Sequence, residues 1–278
     1  MTRGARVLAI SSWVGVGHVG LSAIAPAIQR VGGRCAQLPT IMLSNHPGFA
    51  HAAGSATPPE TLRRMIEAMA ANGFLDGLDA VLTGYMPSAA HADAAAEFLA
   101  LARTRSPAAR VLVDPVIGDA PKGLYAPATA AEAIRDRLAP EADLITPNHF
   151  ELGWLSGAPT DTLDAAREAA EGLRARFGVG GVIVTSAPFP EPQTTGLLVV
   201  DRGGARAFRT PLRIGAPHGV GDVLSGLLAA GLETGSALGK LQTLIETSLG
   251  RPHLALEAGG GSGETDWSKA APIPGAPL

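Results

Sequence analysis

The chain has 278 residues, 46% hydrophobic and 17% charged, with a net charge of −3. This is enough apolar material for one large core or two small ones, and it leaves no basic surface for nucleic acid or an anionic membrane. The single cysteine, Cys35, excludes an internal disulfide and fits a reducing cytoplasm.

Residues 7–10 form a short apolar run and predict a buried strand. After it, Gly15, Gly17 and Gly20 fall in G-x-G-x-x-G spacing. A dinucleotide fingerprint of that kind also needs an acidic residue ~20 positions later, to hold the ribose. No Asp or Glu lies between Leu21 and Pro59, so an NAD(P)-dependent oxidoreductase lacks its ribose ligand. The glycines then read as a close-packed turn or as the lining of a small-molecule pocket. Residues 21–31 predict a helix, and the polar, Gly/Pro-rich stretch 37–56 predicts a strand followed by a flap. Helices follow at 60–72 and 89–105, with a strand at 80–82 between them.

A strand at 111–113 runs into Asp114-Pro115-Val116-Ile117-Gly118-Asp119. Two carboxylates at a strand's carboxyl end suit Mg²⁺ or a phosphate-bound water, and equally a turn or cap. A helix at 130–138 and a strand at 144–145 lead to Thr146-Pro147-Asn148-His149-Phe150-Glu151. Asn148 and Glu151 fall in the first turn of the next helix, either as caps or as part of an acidic cluster with Asp114. A helix at 163–177, a strand at 182–184 and a hairpin at 196–209 follow. Two helices, 219–233 and 238–249, precede a Gly/Pro-rich tail from 259. Such a tail predicts disorder, so a chain ending at Ala258 is expected to melt like the full one.

The alternation of strands and helices predicts an α/β fold with a doubly wound, mostly parallel central sheet, helices on both faces and a small flap. The expected division is one domain over 1–258 and a tail over 259–278. No apolar stretch reaches the ~18 residues of a membrane span.

Gly219-Val220-Gly221-Asp222 opens an apolar helix. Free amides and the helix dipole make such an end an anion site, and glycine lets the backbone approach a phosphate. Asp222 is placed to act as a base toward a hydroxyl, or to stabilise the helix start. No G-x-x-x-x-G-K-[ST] motif is present, so this is not a P-loop enzyme.

These residues carry a resemblance. Gly219-Val220-Gly221-Asp222 is similar to the signature of the ribokinase-like superfamily. Ser12 with Gly17-His18-Val19-Gly20, Ser44-Asn45-His46, Thr83-Gly84-Tyr85, Asp114-Pro115-Val116 with Gly118-Asp119, and Thr146-Pro147-Asn148 with Glu151 resemble the pyridoxal kinases in particular. The similarity runs from about Arg6 to about Thr234. It implies ATP-dependent phosphorylation of the hydroxymethyl group of a B6 vitamer. Asp222 would be the base and the amides of Gly219, Val220 and Gly221 the anion hole. Asp114, Asp119, Asn148 and Glu151 would organise Mg²⁺ and the phosphates, with Asp114, Asp119 and Glu151 toward the metal. Thr185 and Ser186 would touch the nucleotide. Ser12, Val19, Thr40 and Tyr85 would frame the ring, with Tyr125 near that pocket or its lid. The resemblance further implies ATP, Mg²⁺, room for a monovalent cation (K⁺), a homodimer and a cytoplasmic location. Trp13 and Val16 depart from the family's usual His and Tyr beside the ring pocket. A hydroxymethylpyrimidine kinase and a non-catalytic B6-binding protein stay open beside this reading.

Overall fold

The computed structural model describes residues 4–257 and 265–278. Six strands run parallel: β1 (Arg6–Val16), β2 (Arg34–Asn45), β4 (Ala80–Thr83), β5 (Arg110–Val113), β8 (Leu144–Ile145) and β9 (Gly181–Thr185). Antiparallel strands extend the sheet at both edges. On one side is β3 (Gly54–Ala56), and on the other β10 (Thr194–Asp201), β11 (Gly204–Pro211) and β12 (Ala276–Pro277). The order is β12-β11-β10-β9-β8-β5-β4-β1-β2-β3. A separate hairpin pairs β6 (Gly118–Asp119) with β7 (Gly123–Leu124).

The strands are apolar at consecutive positions because each feeds two cores. Successive side chains of a strand point to opposite faces. Val7, Ala9, Ala80, Leu82, Leu112 and Ile183 join one cluster. Leu8, Ile10, Val81, Val111, Val113, Val182 and Val184 join the other. The first cluster is closed by α1 (Leu21–Arg30), α7 (Val220–Ala229) and α8 (Thr234–Ser248). The second is closed by α2 (Pro59–Ala71), α3 (Ala89–Arg105), α4 (Ala128–Ala133), α5 (His149–Ser156) and α6 (Leu163–Phe177). The doubly wound sheet read from the sequence is the observed architecture. The helix expected over 130–138 is α4 followed by one π-helical turn, Ile134–Leu138.

Two regions differ from the expectation. The stretch after residue 10 is not a turn: β1 continues to Val16, held by β2 through pairs such as Trp13↔Met42 and Val16↔Asn45. Gly15 is therefore a strand residue, and only Gly17–Gly20 turn toward α1. A dinucleotide loop between strand and helix is absent there, which removes the structural basis of the NAD(P) reading.

The tail is the second correction. Residues 265–278, expected to be disordered, are packed. Trp267 is fully buried against the α1/α8 layer and donates its Nε1–H to the Leu256 carbonyl at 3.1 Å. Asp266 pairs with Arg30 at 2.9 Å, the Ile273 N–H donates to the Gly235 carbonyl at 2.9 Å, and β12 adds to β11. A few apolar side chains anchor a segment whose composition is otherwise that of a linker. Residues 258–264 of the expected tail lie outside the described residues. Among the described residues no helix is long and apolar enough to cross a membrane.

Candidate active site

The parallel strands deliver their carboxyl ends to one edge of the sheet, where open α/β sheets bind ligands. Ser11 and Ser12, Thr83, Asp114, Thr146 and Thr185 all arrive there. The register of β1 against β2 shifts between Ser11 and Trp13, beside Ser12. Irregularities of that kind re-aim side chains next to active sites.

The α7 start is fixed by sterics. Gly219 sits at φ 98°, and a Cβ there would lie 1.9 Å from the His18 carbonyl oxygen. The first intrahelical bond is from the Val223 N–H to the Gly219 carbonyl at 3.0 Å. The amides of Val220, Gly221 and Asp222 thus precede the hydrogen-bonded ladder. No side-chain hydrogen bond caps this helix, so Asp222 is not there as a cap. The Gly20 N–H bonds Asp222 instead, and burial pushes its carboxyl up to about 6. Gly20 is equally constrained, since a Cβ on it would meet the Ser12 carbonyl oxygen at 2.2 Å.

Asp114 lies beyond β5 and is buried. Its Oδ2 accepts from the Ser225 hydroxyl at 2.9 Å. Burial, then the charge of Asp222, push its carboxyl up to about 7 against the pull of the Ser225 hydroxyl. Glu151 is also buried. Its Oε2 accepts from the Asn148 N–H at 2.9 Å, and its Oε1 accepts from the Ile117 N–H at 3.0 Å and the Gly118 N–H at 3.4 Å. Burial and Asp114 hold it well above the usual carboxylate range. Asn148 completes a capping box with Glu151 and donates its Nδ2–H to the Gly118 carbonyl at 2.9 Å. The pair thereby locks the β6–β7 hairpin to α5.

The Tyr125 hydroxyl is raised by burial first, then by Glu151, Asp114, Asp222 and Asp119. The Tyr125 side chain as a whole is 52% exposed. Asp119 is exposed at the base of the β6–β7 turn. Thr185 is half-buried and bridges to Asn148, and Ser186 is exposed at φ 52°. Thr40 is fully buried and spends its hydroxyl on the Tyr85 carbonyl at 2.8 Å, while the Tyr85 N–H donates to Ser11 Oγ at 3.1 Å. Thr40 thus fixes the Tyr85 backbone from beneath. Val19 lines a small recess beside Gly219 together with Val16, His46, Phe49, His218 and His253. Trp13, 39% exposed, does not line it. A larger recess of about 370 Å³ lies between α5 and α6, and none of the expected site residues lines it.

Among the described residues no three His, Cys, Asp or Glu are assembled to hold a metal by themselves. Asp114, Asp119 and Glu151 are thus not a preformed chelate. The donor set still fits Mg²⁺, which keeps several waters and takes one or two carboxylates plus substrate phosphates. Asp114 and Glu151 repel one another in a buried corner, and a divalent cation would relieve that.

Ser225, Lys122, His46 and His218 were not singled out for roles from the sequence. Ser225 had one signal, a hydroxyl inside an apolar helix.

The comparisons fit this geometry. A family described as phosphomethylpyrimidine kinase matches residues 26–242. A pyridoxal kinase from Leifsonia xyli is 35% identical over 91% of this chain and 90% of its own. The chain belongs to the phosphomethylpyrimidine kinase family, on its pyridoxal kinase branch. A pyridoxine/pyridoxal/pyridoxamine kinase from Bordetella avium is 38% identical over 84% of this chain and 79% of its own. Among solved structures, the Leishmania donovani pyridoxal kinase in complex with ADP and ginkgotoxin superposes with TM-score 0.88 at 29% identity, covering 98% of this chain and 99% of that one.

One consequence concerns Asp114. Its folded pKa of about 7 exceeds the ordinary 3.8. Stability tied to its protonated form is complete below the ordinary value and is lost as pH rises through about 7. Asp114→Asn should raise the melting temperature of the ligand-free protein at pH 8, by about 2–4 °C per kcal/mol relieved, and by less at pH 5. Calorimetry at the two pH values checks this. A lower melting temperature at pH 8 would contradict it. Activity should fall in the same variant.

Proposed function

We propose that the protein transfers the γ-phosphoryl group of ATP to the hydroxymethyl oxygen of a B6 vitamer such as pyridoxal. The observation that carries this reading is Asp222: an uncapped helix start presents amides, and the carboxylate beside them is held by the Gly20 N–H. Phosphoryl transfer needs positioning and charge stabilisation more than covalent help. The amides of Gly219, Val220 and Gly221 take the charge that develops on the phosphoryl group. Asp222 accepts the proton of the acceptor hydroxyl, and its raised pKa of about 6 suits a base working near neutrality. Thr185, Ser186 and Asn148 lie on the nucleotide side. Ser12, Val19 and Tyr85 frame the ring, Thr40 supports Tyr85, and Tyr125 covers the acidic corner.

Mg²⁺ would be held by Asp114, with Asp119 and Glu151 supporting, and would neutralise phosphate charge when bound. A monovalent cation, K⁺, belongs to the same proposal and is tested by exchanging K⁺ for Na⁺ in the assay. The family's description names a phosphomethylpyrimidine, and the related hydroxymethylpyrimidine is the second acceptor to compare. A carrier without catalysis would have no use for Asp222 beside free amides.

We place the enzyme in the cytoplasm, as a homodimer. Trp13 and Met42, register neighbours that are 39% and 49% exposed, give the β1–β2 ribbon an apolar outer face that a second copy would cover. Light scattering on the purified protein decides the oligomer.

The test of function is ADP release with ATP-Mg²⁺ and each acceptor, alongside thermal shifts, since a ligand of the native state raises its apparent stability. Turnover with pyridoxal is expected. No release with any B6 vitamer would sink the proposal.

A further inference from the structure

Ser88 stands immediately before the first turn of α3, where a serine ordinarily caps the helix by accepting from an amide of that turn. Its hydroxyl does not cap α3; it lies 2.8 Å from His91 Nδ1 instead. His91 is the third residue of the helix and is buried. Its other ring nitrogen, Nε2, lies 2.7 Å from the Thr57 carbonyl oxygen. A carbonyl only accepts, so Nε2 carries a proton, and in the neutral ring Nδ1 accepts from the Ser88 hydroxyl.

Thr57 ends the flap. After β2 the chain leaves the sheet over residues 46–53 and returns as β3, which pairs with β2 as far as Ile41↔Ala56. The next residue, Thr57, is buried, and its N–H donates to the Thr40 carbonyl at 2.9 Å. Thr40 in turn gives its hydroxyl to the Tyr85 carbonyl at 2.8 Å. The loop 85–88 is therefore tied at both ends to one bracket: at Tyr85 by Thr40, and at Ser88 through His91 to Thr57. Thr40 and Thr57 are bonded to each other, so the bracket closes as a ring of hydrogen bonds. Buried groups of this kind cost most when one partner is removed and the other is left unpaired.

We propose that His91 is a positioning residue for the phosphoryl acceptor, holding the Tyr85 loop and the root of the flap as one unit. The inference rests on the kinase reading above, in which Tyr85 frames the ring. His91 acts through that loop, because a binding wall keeps its geometry only while the layer behind it is locked. The α7 start lies on the opposite face of the sheet from α3, so the phosphoryl machinery does not depend on this bracket.

The experiment measures kcat and the KM values for pyridoxal and ATP in the wild type, His91→Leu, His91→Gln and His91→Asn. Leu fills the space without either bond. The Gln amide nitrogen lies where Nε2 does and keeps a donor for the Thr57 carbonyl, whereas Asn reaches only as far as Nδ1. His91→Leu and His91→Asn should raise the pyridoxal KM ~10-fold, the effect of one buried hydrogen bond, with kcat and the ATP KM within about twofold. His91→Gln should keep the pyridoxal KM within about threefold of the wild type. Equal rises in both KM values, an unchanged pyridoxal KM in His91→Leu, or Asn performing as well as Gln would overturn the proposal. Loss of packing alone would separate neither the two amides nor the two substrates. If His91→Leu does not fold, the comparison of Gln with Asn decides: a higher pyridoxal KM in Asn supports the bracket, and equal values overturn it. A wild type that turns over no B6 vitamer overturns the kinase reading and this role with it, while an unaffected His91→Leu in an active enzyme overturns this role alone.

Discussion

Asp222→Asn should lower kcat by ~10²–10⁴, the range for loss of a general base, while the KM values for ATP and acceptor change far less. The substitution keeps shape and removes the basic oxygen. Its backbone amide and those of Gly219, Val220 and Gly221 remain. The rival role, a charge favouring the helix start, is worth only ~0.3–1 kcal/mol and would show as a small change in stability with turnover intact. Because no side chain caps α7, a capping role does not compete. Wild-type kcat/KM should also decline as pH falls below about 6, where Asp222 takes up its proton. Steady-state kinetics on the two proteins, with circular dichroism to confirm folding, measure all of this. Native turnover in Asp222→Asn would remove the base from the account.

Trp267→Ala should destabilise the protein by ~3–5 kcal/mol, the usual cost of emptying a buried aromatic site. Trp267 is fully buried, and its indole N–H is satisfied by the Leu256 carbonyl. Removal leaves a cavity between α1 and α8 and an unpaired carbonyl. The flanking bonds, from the Arg30 guanidinium to Asp266 and from the Lys240 ammonium to the Ser268 carbonyl, depend on the same segment. A chain ending at Ala258 should suffer at least as much, contrary to what its Gly/Pro composition suggested. Urea denaturation monitored by circular dichroism gives the difference directly. An unchanged midpoint in Trp267→Ala would show that the segment contributes nothing to the fold.

The parallel strands were legible because each has to be apolar on both faces, so runs such as Val111, Leu112 and Val113 stand out without any partner being known. The capping box of Asn148 and Glu151 was legible as well, since its spacing is local. The Gly219–Asp222 turn was readable for the same reason. What escaped the reading depends on pairing across the chain. Ser, Trp and Gly after Ile10 look like a turn, and they are held extended only because β2 lies alongside. Trp267 and Ile273 sit in a linker-like composition and show their purpose only once α1 and α8 are packed. Thr40 was assigned to the ring, yet its hydroxyl is spent on the Tyr85 carbonyl. His46 and His218 meet only in the folded chain.

The central claim is γ-phosphoryl transfer to a hydroxymethyl oxygen. The most direct test incubates the purified protein with ATP, Mg²⁺ and pyridoxal and identifies both products by mass. The account predicts ADP and pyridoxal 5′-phosphate in equal amounts, with the new phosphate on the hydroxymethyl oxygen. ADP formed without a phosphorylated vitamer, or neither product, would contradict it.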